Sequence, residues 1–156
     1  MIKGLYEAHL PVSNLISSID FYERLGLTLA SKGEKVAFFW IDKGKSWLGL
    51  WEGEEVNTPY HPSLRHIAFQ VDFVDMLKAK EWLENLGIEI RTSFGFSKER
   101  QPLVLPNFPH SHAAIYFNDP DGNSLELITP LRLDGEEDFP MMELKEWFKK
   151  QKGQLK

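Results

Sequence analysis

The sequence predicts an α+β fold made of two successive βαβββ units, and three observations support this prediction. Two amphipathic helices, at residues 15–25 and 73–86, are each preceded by one short strand and followed by three. Each helix is followed by a glycine, Gly26 or Gly87, and glycine readily adopts the left-handed conformation that ends a helix. The same order of elements therefore occurs twice, as expected when one module is repeated within a chain.

The first predicted unit covers residues 5–52. Its opening strand, 5–12, leads to Ser13 and Asn14, whose side chains can accept the unpaired N–H groups in the first turn of a helix. In that helix, apolar residues recur at spacings of three and four, which indicates one buried face. Three further strands are expected at 27–31, 35–41 and 46–52.

The second predicted unit covers residues 64–129 and repeats this order. A strand at 64–71 precedes the second helix. Three further strands are expected at about 88–93, 112–118 and 124–129. The turn Asp119-Pro120-Asp121-Gly122 joins the last two strands, because proline and glycine suit a tight turn.

Two segments lie outside the repeated pattern. The stretch 94–111 is irregular and contains three prolines, and its length suits a lid or the wall of a pocket. Residues 131–156 form a C-terminal extension to the domain at 1–130. Within this extension, 141–150 is predicted to be a short helix that packs on the domain or on a partner subunit.

Composition narrows the possible functions. The chain has 156 residues and no cysteine, so it suits one domain and excludes disulfides, thiolate nucleophiles and thiolate metal sites. Its formal net charge of -5 disfavours a sequence-independent nucleic-acid binder, which needs a basic face. No apolar run reaches the roughly 20 residues that span a bilayer, and the N-terminus lacks a signal-peptide pattern. A cytoplasmic protein that binds neither nucleic acid nor membrane is expected.

Three segments of the sequence resemble the vicinal-oxygen-chelate superfamily, which includes glyoxalases, bleomycin resistance proteins and extradiol dioxygenases. They are HLPVSNLISSIDFYERLGL at the start, HIAFQVD in the middle and YFNDPDGNSLELI near the end. The last is the most specific, because a strand–DPDG–strand segment ending in Glu is a strong marker of this superfamily. The resemblance implies a curled mixed sheet in which each βαβββ unit forms half of an open barrel. It also implies one divalent metal ion in the barrel, a small-molecule substrate and, usually, a homodimer.

The resemblance further indicates which residues hold the metal. His66, which opens HIAFQVD, matches the family's histidine in the second unit, and Glu126 matches its final carboxylate. The first strand departs from the family, since counting back seven residues from Asn14 gives Glu7 and not the usual histidine. His9 lies two residues further on and so shares a face of the strand with Glu7. Either residue, or both, can be the ligand, and a hydrogen-bonded pair without metal is the alternative.

The fourth ligand position of the family has no metal-binding residue in this chain. The similarity between the two units places Leu48, or with a shift of one residue Gly49, opposite Glu126. Neither side chain binds a metal. Family members with four ligands, such as glyoxalase I, have a carboxylate at this position, so the resemblance disfavours a glyoxalase I.

A site of histidine and carboxylates with open positions suits one divalent ion, namely Zn, Ni, Mn, Fe or Mg. We expect a glyoxalase-like enzyme in which this metal acts as a Lewis acid on a small oxygen-bearing substrate. Glu7 or Glu126 is the expected general base, in an isomerase, lyase or transferase reaction. Trp51, Arg100 and Tyr116 are candidate substrate-binding residues.

Two alternative functions stay open. An Fe(II) dioxygenase requires a site of two histidines and one carboxylate, which would be His9, His66 and Glu126. A metal-free protein that binds a small molecule or drug, like the bleomycin resistance proteins of this superfamily, requires none of these residues as ligands.

Overall fold

The computed structural model describes residues 5–53, 65–106, 111–131 and 139–154. Parts of three predicted segments lie outside the described residues: the first residue of the strand at 64–71, positions 107–110 of the irregular stretch, and 132–138 and 155–156 of the C-terminal extension. The chain forms two compact units. The first comprises the residues up to His66 together with Asn118–Ser124, and the second comprises Ile67–Phe117 together with the residues from Leu125 onwards.

The first βαβββ unit has the predicted order of one strand, one helix and three strands. Its elements are β1 (Glu7–Val12), α1 (Leu15–Arg24), β2 (Thr28–Lys32), β3 (Val36–Asp42) and β4 (Ser46–Glu52). The strands form one sheet in the order β1-β4-β3-β2. Strand β1 runs parallel to β4, and the other neighbours are antiparallel. The fold class predicted for this unit is confirmed, with each element within two residues of its expected bounds.

Helix α1 begins and ends where the sequence predicts. Asn14 is the N-cap, and its side-chain oxygen accepts a hydrogen bond from the N–H of Ser17 at 2.9 Å. The Glu52 carboxylate accepts a second bond from the N–H of Leu15 at 2.6 Å. Gly26 follows the helix with φ of 95°, which glycine adopts without strain. The start of α1 is thereby fixed to the end of β4.

The later strands repeat the same sheet order. The elements are β5 (His66–Gln70), α2 (Phe73–Met76), α3 (Ala79–Asn85), β6 (Leu103–Leu105), β7 (His112–Asn118), β8 (Ser124–Pro130), β9 (Met142–Glu143) and α4 (Leu144–Gln154). The second sheet has the order β5-β8-β7-β6-β9, so its first four strands follow the order of the first sheet. The helix predicted at 73–86 is divided in two, because the N–H of Lys78 bonds to the carbonyl of Asp75, three residues back instead of four.

The prediction of a strand at 88–93 is wrong. In the structure, Ile90 forms an isolated bridge there, and β6, inside the stretch predicted to be irregular, takes the expected place in the sheet. Gln101 explains the difference. Its side-chain amide donates to the carbonyl of Arg91 at 2.5 Å and accepts from the N–H of Tyr116 at 2.9 Å. A side chain thus satisfies backbone groups that a continuous strand would otherwise pair.

The C-terminal helix is present but begins later than predicted. Residues Met142 and Glu143, expected to be helical, form β9 and pair with β6, so α4 starts at Leu144. The ring of Phe148 on α4 lies 5.7 Å from that of Phe73, edge to face. The helix therefore packs on the second unit. No helix within the described ranges is long and apolar enough to cross a membrane.

The turn between β7 and β8 is held in place by a buried asparagine. The Asn123 amide donates to the carbonyl of Pro11 at 3.1 Å and to the Asp119 carboxylate at 2.5 Å, and it accepts from Nε of Arg65 at 2.6 Å. The Tyr22 hydroxyl donates to the same carboxylate at 3.0 Å. These bonds connect the turn to the end of β1 and to α1.

We predict that Asn123→Ala lowers the free energy of unfolding by about 1–3 kcal/mol or more, because it leaves buried polar groups without their partner. Urea unfolding, followed by circular dichroism, measures the effect. Asn118→Ala is the matched control, since Asn118 is exposed at the end of β7 and its loss should cost less than about 0.5 kcal/mol. Equal destabilisation by the two substitutions would contradict the role assigned to Asn123.

Candidate functional site

The predicted first-strand residues lie on the open face of the first sheet. Glu7 and His9 of β1 are in register with Trp47 and Gly49 of β4. Leu48, between these two, is 1% exposed and belongs to the core. Because side chains alternate along a strand, Trp47 and Gly49 share the opposite face with Glu7 and His9.

Glu7 and His9 hydrogen-bond to each other and to two tryptophans. His9 Nε2 lies 2.7 Å from Glu7 Oε1. The indole N–H of Trp47 donates to Glu7 Oε2, and the indole N–H of Trp51 donates to His9 Nδ1. We call Glu7 and His9, with these two indoles, the tryptophan-flanked pair. The hydrogen bonds from His9 and then from Trp47 lower the pKa of the Glu7 carboxyl below its ordinary value, so it is a carboxylate at neutral pH.

Aromatic rings line this face around the tryptophan-flanked pair. The ring centroid of Trp47 lies 4.7 Å from that of Phe38 and 5.2 Å from that of Trp40, and the His9 ring lies 5.8 Å from that of Trp51. Trp51, a predicted substrate-binding residue, is 51% exposed. The face therefore offers flat apolar surface beside a carboxylate.

The fourth ligand position is occupied by Gly49, because the ring of His9 leaves no space for a side chain there. Leu48 and Leu125 are both core residues, so the shifted alignment is the correct one and Gly49 corresponds to Glu126. A Cβ atom on Gly49 would lie 2.6 Å from His9 Nδ1 and 2.7 Å from His9 Cε1. The His9 ring thus fills the space that a side chain at this position would enter.

His66 lies at the start of β5, next to β8. Its Nδ1 is 3.0 Å from the hydroxyl oxygen of Ser124, the first residue of β8. A contact of this kind orients an imidazole and assigns metal binding, if any, to the other nitrogen, Nε2. The preceding residue, Arg65, has φ of 57° and hydrogen-bonds to Asn123, so it supports the β7–β8 turn.

Glu126 is buried on β8 beside two residues of β7. Its carboxylate is hydrogen-bonded to the hydroxyl of Tyr116, a predicted substrate-binding residue. Nε2 of His112 lies 3.9 Å from Glu126 Oε1. Burial, and then the neighbouring carboxylate, raise the pKa of Tyr116 well above its ordinary value. Its phenol therefore stays protonated at neutral pH and donates to Glu126.

Arg100, the third predicted substrate-binding residue, lies in a short 3-10 turn in the predicted irregular stretch. Its Nε donates to Glu143 Oε1 at 2.5 Å, and its guanidinium lies 4.4 Å from the centre of the Phe96 ring. Its charge is thus paired with a carboxylate of β9. That Arg100 holds an anionic group of the substrate stays a prediction.

The structure brings predicted site residues together in two places. Glu7 contacts His9, and Glu126 contacts Tyr116 and His112. In the part of the chain that the structure describes, no three His, Asp or Glu side chains form a cluster that could hold a metal ion.

Two residues that contact the predicted ligands, Trp47 and Ser124, were not predicted from the sequence. Both lie on the fourth strand of their βαβββ unit, beside the ligand on the first strand. Pairing the first and fourth strands of each predicted unit would have identified them, and that pairing follows from the superfamily fold but not from local periodicity.

A cavity of about 480 Å³ lies between α3 and the second sheet. Its lining residues are Val71, Asp75, Lys78, Ala79, Glu81, Trp82, Asn85 and Leu127. Leu127 follows Glu126 on β8 and so faces the opposite side of the sheet. None of the predicted site residues lines this cavity.

We predict that Gly49→Ala displaces the His9 ring and lowers the free energy of unfolding by about 1–3 kcal/mol, the usual cost of overpacking. Gly53→Ala is the matched control, because a Cβ atom there meets no atom within 4 Å. Thermal unfolding of both variants measures the difference. An unchanged melting temperature in Gly49→Ala would show that the ring does not lie against Gly49.

Comparison with known proteins assigns a family to this architecture. The sequence model described as the Glyoxalase/Bleomycin resistance protein/Dioxygenase superfamily matches residues 4–127. Metallothiol transferase FosB of Staphylococcus epidermidis is 34% identical over 133 residues, which cover 83% of this chain and 85% of that protein. Glutathione transferase FosA of Serratia marcescens is 31% identical over 130 residues, which cover 81% of each. The crystal structure of fosfomycin resistance protein FosX from Mesorhizobium loti aligns with a TM-score of 0.57 and 26% identity, covering 83% of this chain and 93% of that one. This chain therefore belongs to the glyoxalase/bleomycin resistance protein/dioxygenase superfamily.

Proposed function

We propose that this chain is a metal-dependent transferase that joins a thiol to a small electrophile and opens a carbon–oxygen bond in it. The observation that carries this proposal is the similarity to proteins named metallothiol transferase and glutathione transferase over four fifths of the chain. The chain contains no cysteine, so the thiol comes from a second small molecule. This transferase is one form of the Lewis-acid enzyme that the sequence predicts.

The donor chemistry of the predicted ligands fits a divalent metal ion. The imidazole of His66 and the carboxylate of Glu126, with Glu7 or His9, suit Zn, Ni, Mn, Fe or Mg. The Ser124 hydroxyl at Nδ1 of His66 is the kind of contact that orients a metal-bound histidine. When bound, the metal polarises the oxygen of the electrophile and stabilises the negative charge that develops on it.

The chain's carboxylates move the proton in this reaction. Glu7 or Glu126 takes the proton of the thiol, the sulfur forms a bond to carbon, and the carbon–oxygen bond breaks with its electron pair on oxygen. The proton then passes to that oxygen. The Tyr116 phenol, which donates to Glu126, holds this carboxylate in one orientation.

The proposed substrate-binding residues offer aromatic surface and a positive charge to the substrate. Trp51 offers an exposed ring on the open face of the first sheet, and Tyr116 lies beside Glu126. Arg100 holds an anionic group of the substrate only when this group replaces Glu143, its present partner. A homodimer is proposed from the superfamily resemblance.

Metal binding predicts a rise in thermal stability. Manganese, nickel or zinc added at about 100 times its dissociation constant should stabilise the native state by about 2.7 kcal/mol. Differential scanning calorimetry measures the shift. The shift should disappear in Glu126→Ala and persist in Glu89→Ala, a matched control on an exposed carboxylate. A wild-type melting temperature that no divalent metal changes would argue against a metal site.

Activity is tested with three electrophiles, which are fosfomycin, 1,2-epoxybutane and styrene oxide. Fosfomycin is chosen because the name of the FosX relative contains it. Each electrophile is combined with glutathione or cysteine as the thiol. We expect loss of free thiol that requires added metal. His66→Ala and Glu126→Ala should reduce the rate by more than about 100-fold, since even contacts outside the ligand shell are worth 10–100-fold. Transfer that persists after metal removal, or in both variants, would contradict the proposal.

A further inference from the structure

The hydrogen bonds of the tryptophan-flanked pair distinguish Glu7 from His9 as the first-strand ligand. An indole N–H donates a hydrogen bond and accepts none. Because Trp51 donates to His9 Nδ1, this nitrogen is an acceptor and carries no proton. The proton of the neutral imidazole is therefore on Nε2, which donates to Glu7 Oε1 at 2.7 Å.

In this tautomer, His9 offers no lone pair to a metal ion. Its Nε2 carries the proton, and the lone pair of its Nδ1 is used by Trp51. The edge of the ring that carries Nδ1 also lies against the backbone of Gly49. Metal binding through Nδ1 of His9 would require moving Trp51. Binding through Nε2 would also require transferring the Nε2 proton to Nδ1.

Glu7 has no such restriction. A carboxylate has about four acceptor positions on its two oxygens, so bonds from His9 and Trp47 leave it able to bind a metal as well. Glu7 also has the register of a ligand. Aligning Val12 with Val71 aligns Glu7 with His66. Each of the two residues lies beside the fourth strand of its own βαβββ unit.

We propose that Glu7 is the first-strand metal ligand and that His9 is a positioning residue, which donates from Nε2 to Glu7 in a tautomer fixed by Trp51. The inference rests on the proposed metal dependence. It makes the ligand set one histidine and two carboxylates, namely His66, Glu7 and Glu126. Such a set favours oxygen-preferring ions such as manganese and magnesium. It disfavours the dioxygenase alternative, which requires two histidines.

The tautomer is tested on metal-free protein by long-range ¹H–¹⁵N correlation NMR at a pH where His9 is neutral. We expect the Nε2–H tautomer in the wild type. Trp51→Phe removes the donor at Nδ1 and should give a mixture of tautomers. Trp40→Phe, the matched control, removes an indole that contacts Trp47 through its ring and should leave the tautomer unchanged. A wild-type His9 protonated on Nδ1 overturns the proposal.

Metal affinity, measured by isothermal titration with manganese, tests the roles of the two side chains. Glu7→Ala should bind no metal. His9→Ala should bind about 10–100-fold more weakly than the wild type, the usual effect of losing a residue that orients a ligand. His9→Gln keeps an N–H donor for Glu7 and should restore most of this loss.

The outcomes separate the inference from the proposed function. A wild type that binds no metal overturns both. A wild type that binds metal, together with Glu7→Ala that retains it and His9→Gln that loses it, overturns the inference alone. Because the NMR measurement needs no metal, it judges the Trp51–His9 contact even when a variant fails to fold.

Discussion

The close approach of the His9 ring to the backbone of Gly49 determines the arrangement of the first-strand site. Parallel pairing of β1 with β4 sets these two residues side by side, and any side chain at position 49 would displace the ring. With the ring in place, Nδ1 meets Trp51 and Nε2 meets Glu7. The missing fourth ligand of the superfamily and the hydrogen-bonded Glu7–His9 pair are therefore two consequences of one packing contact.

The proposed ligands share a second feature, a hydrogen-bonding partner on a neighbouring strand. Trp47 donates to Glu7, and the Ser124 hydroxyl contacts His66. Tyr116 hydrogen-bonds to Glu126 in the same way. Such contacts orient ligands before a metal binds and reduce the side-chain freedom lost on binding. Each proposed ligand is thus supported from a neighbouring strand, although the supporting residues are of different types.

Much of this architecture could be predicted from sequence because it depends on local signals. Asn14 and Gly26 define the ends of α1, and period-two patterns indicate the strands. The strand predicted at 88–93 failed because the side chain of Gln101 takes over backbone hydrogen bonds, which no periodicity reveals. The sequence leaves the choice between Glu7 and His9 open for a related reason. Alternation places both on one face, and only contacts across strands, such as that of Trp51, distinguish their chemistry.

The most direct test is a crystal structure of the protein grown with manganese, in which anomalous scattering locates the ion. We predict that carboxylate oxygens of Glu7 and Glu126 and Nε2 of His66 bind the ion, and that His9 is hydrogen-bonded to Glu7 and Trp51 instead. An ion bound by Nε2 of His9 would contradict this prediction. So would a manganese ion that contacts neither Glu7 nor His66.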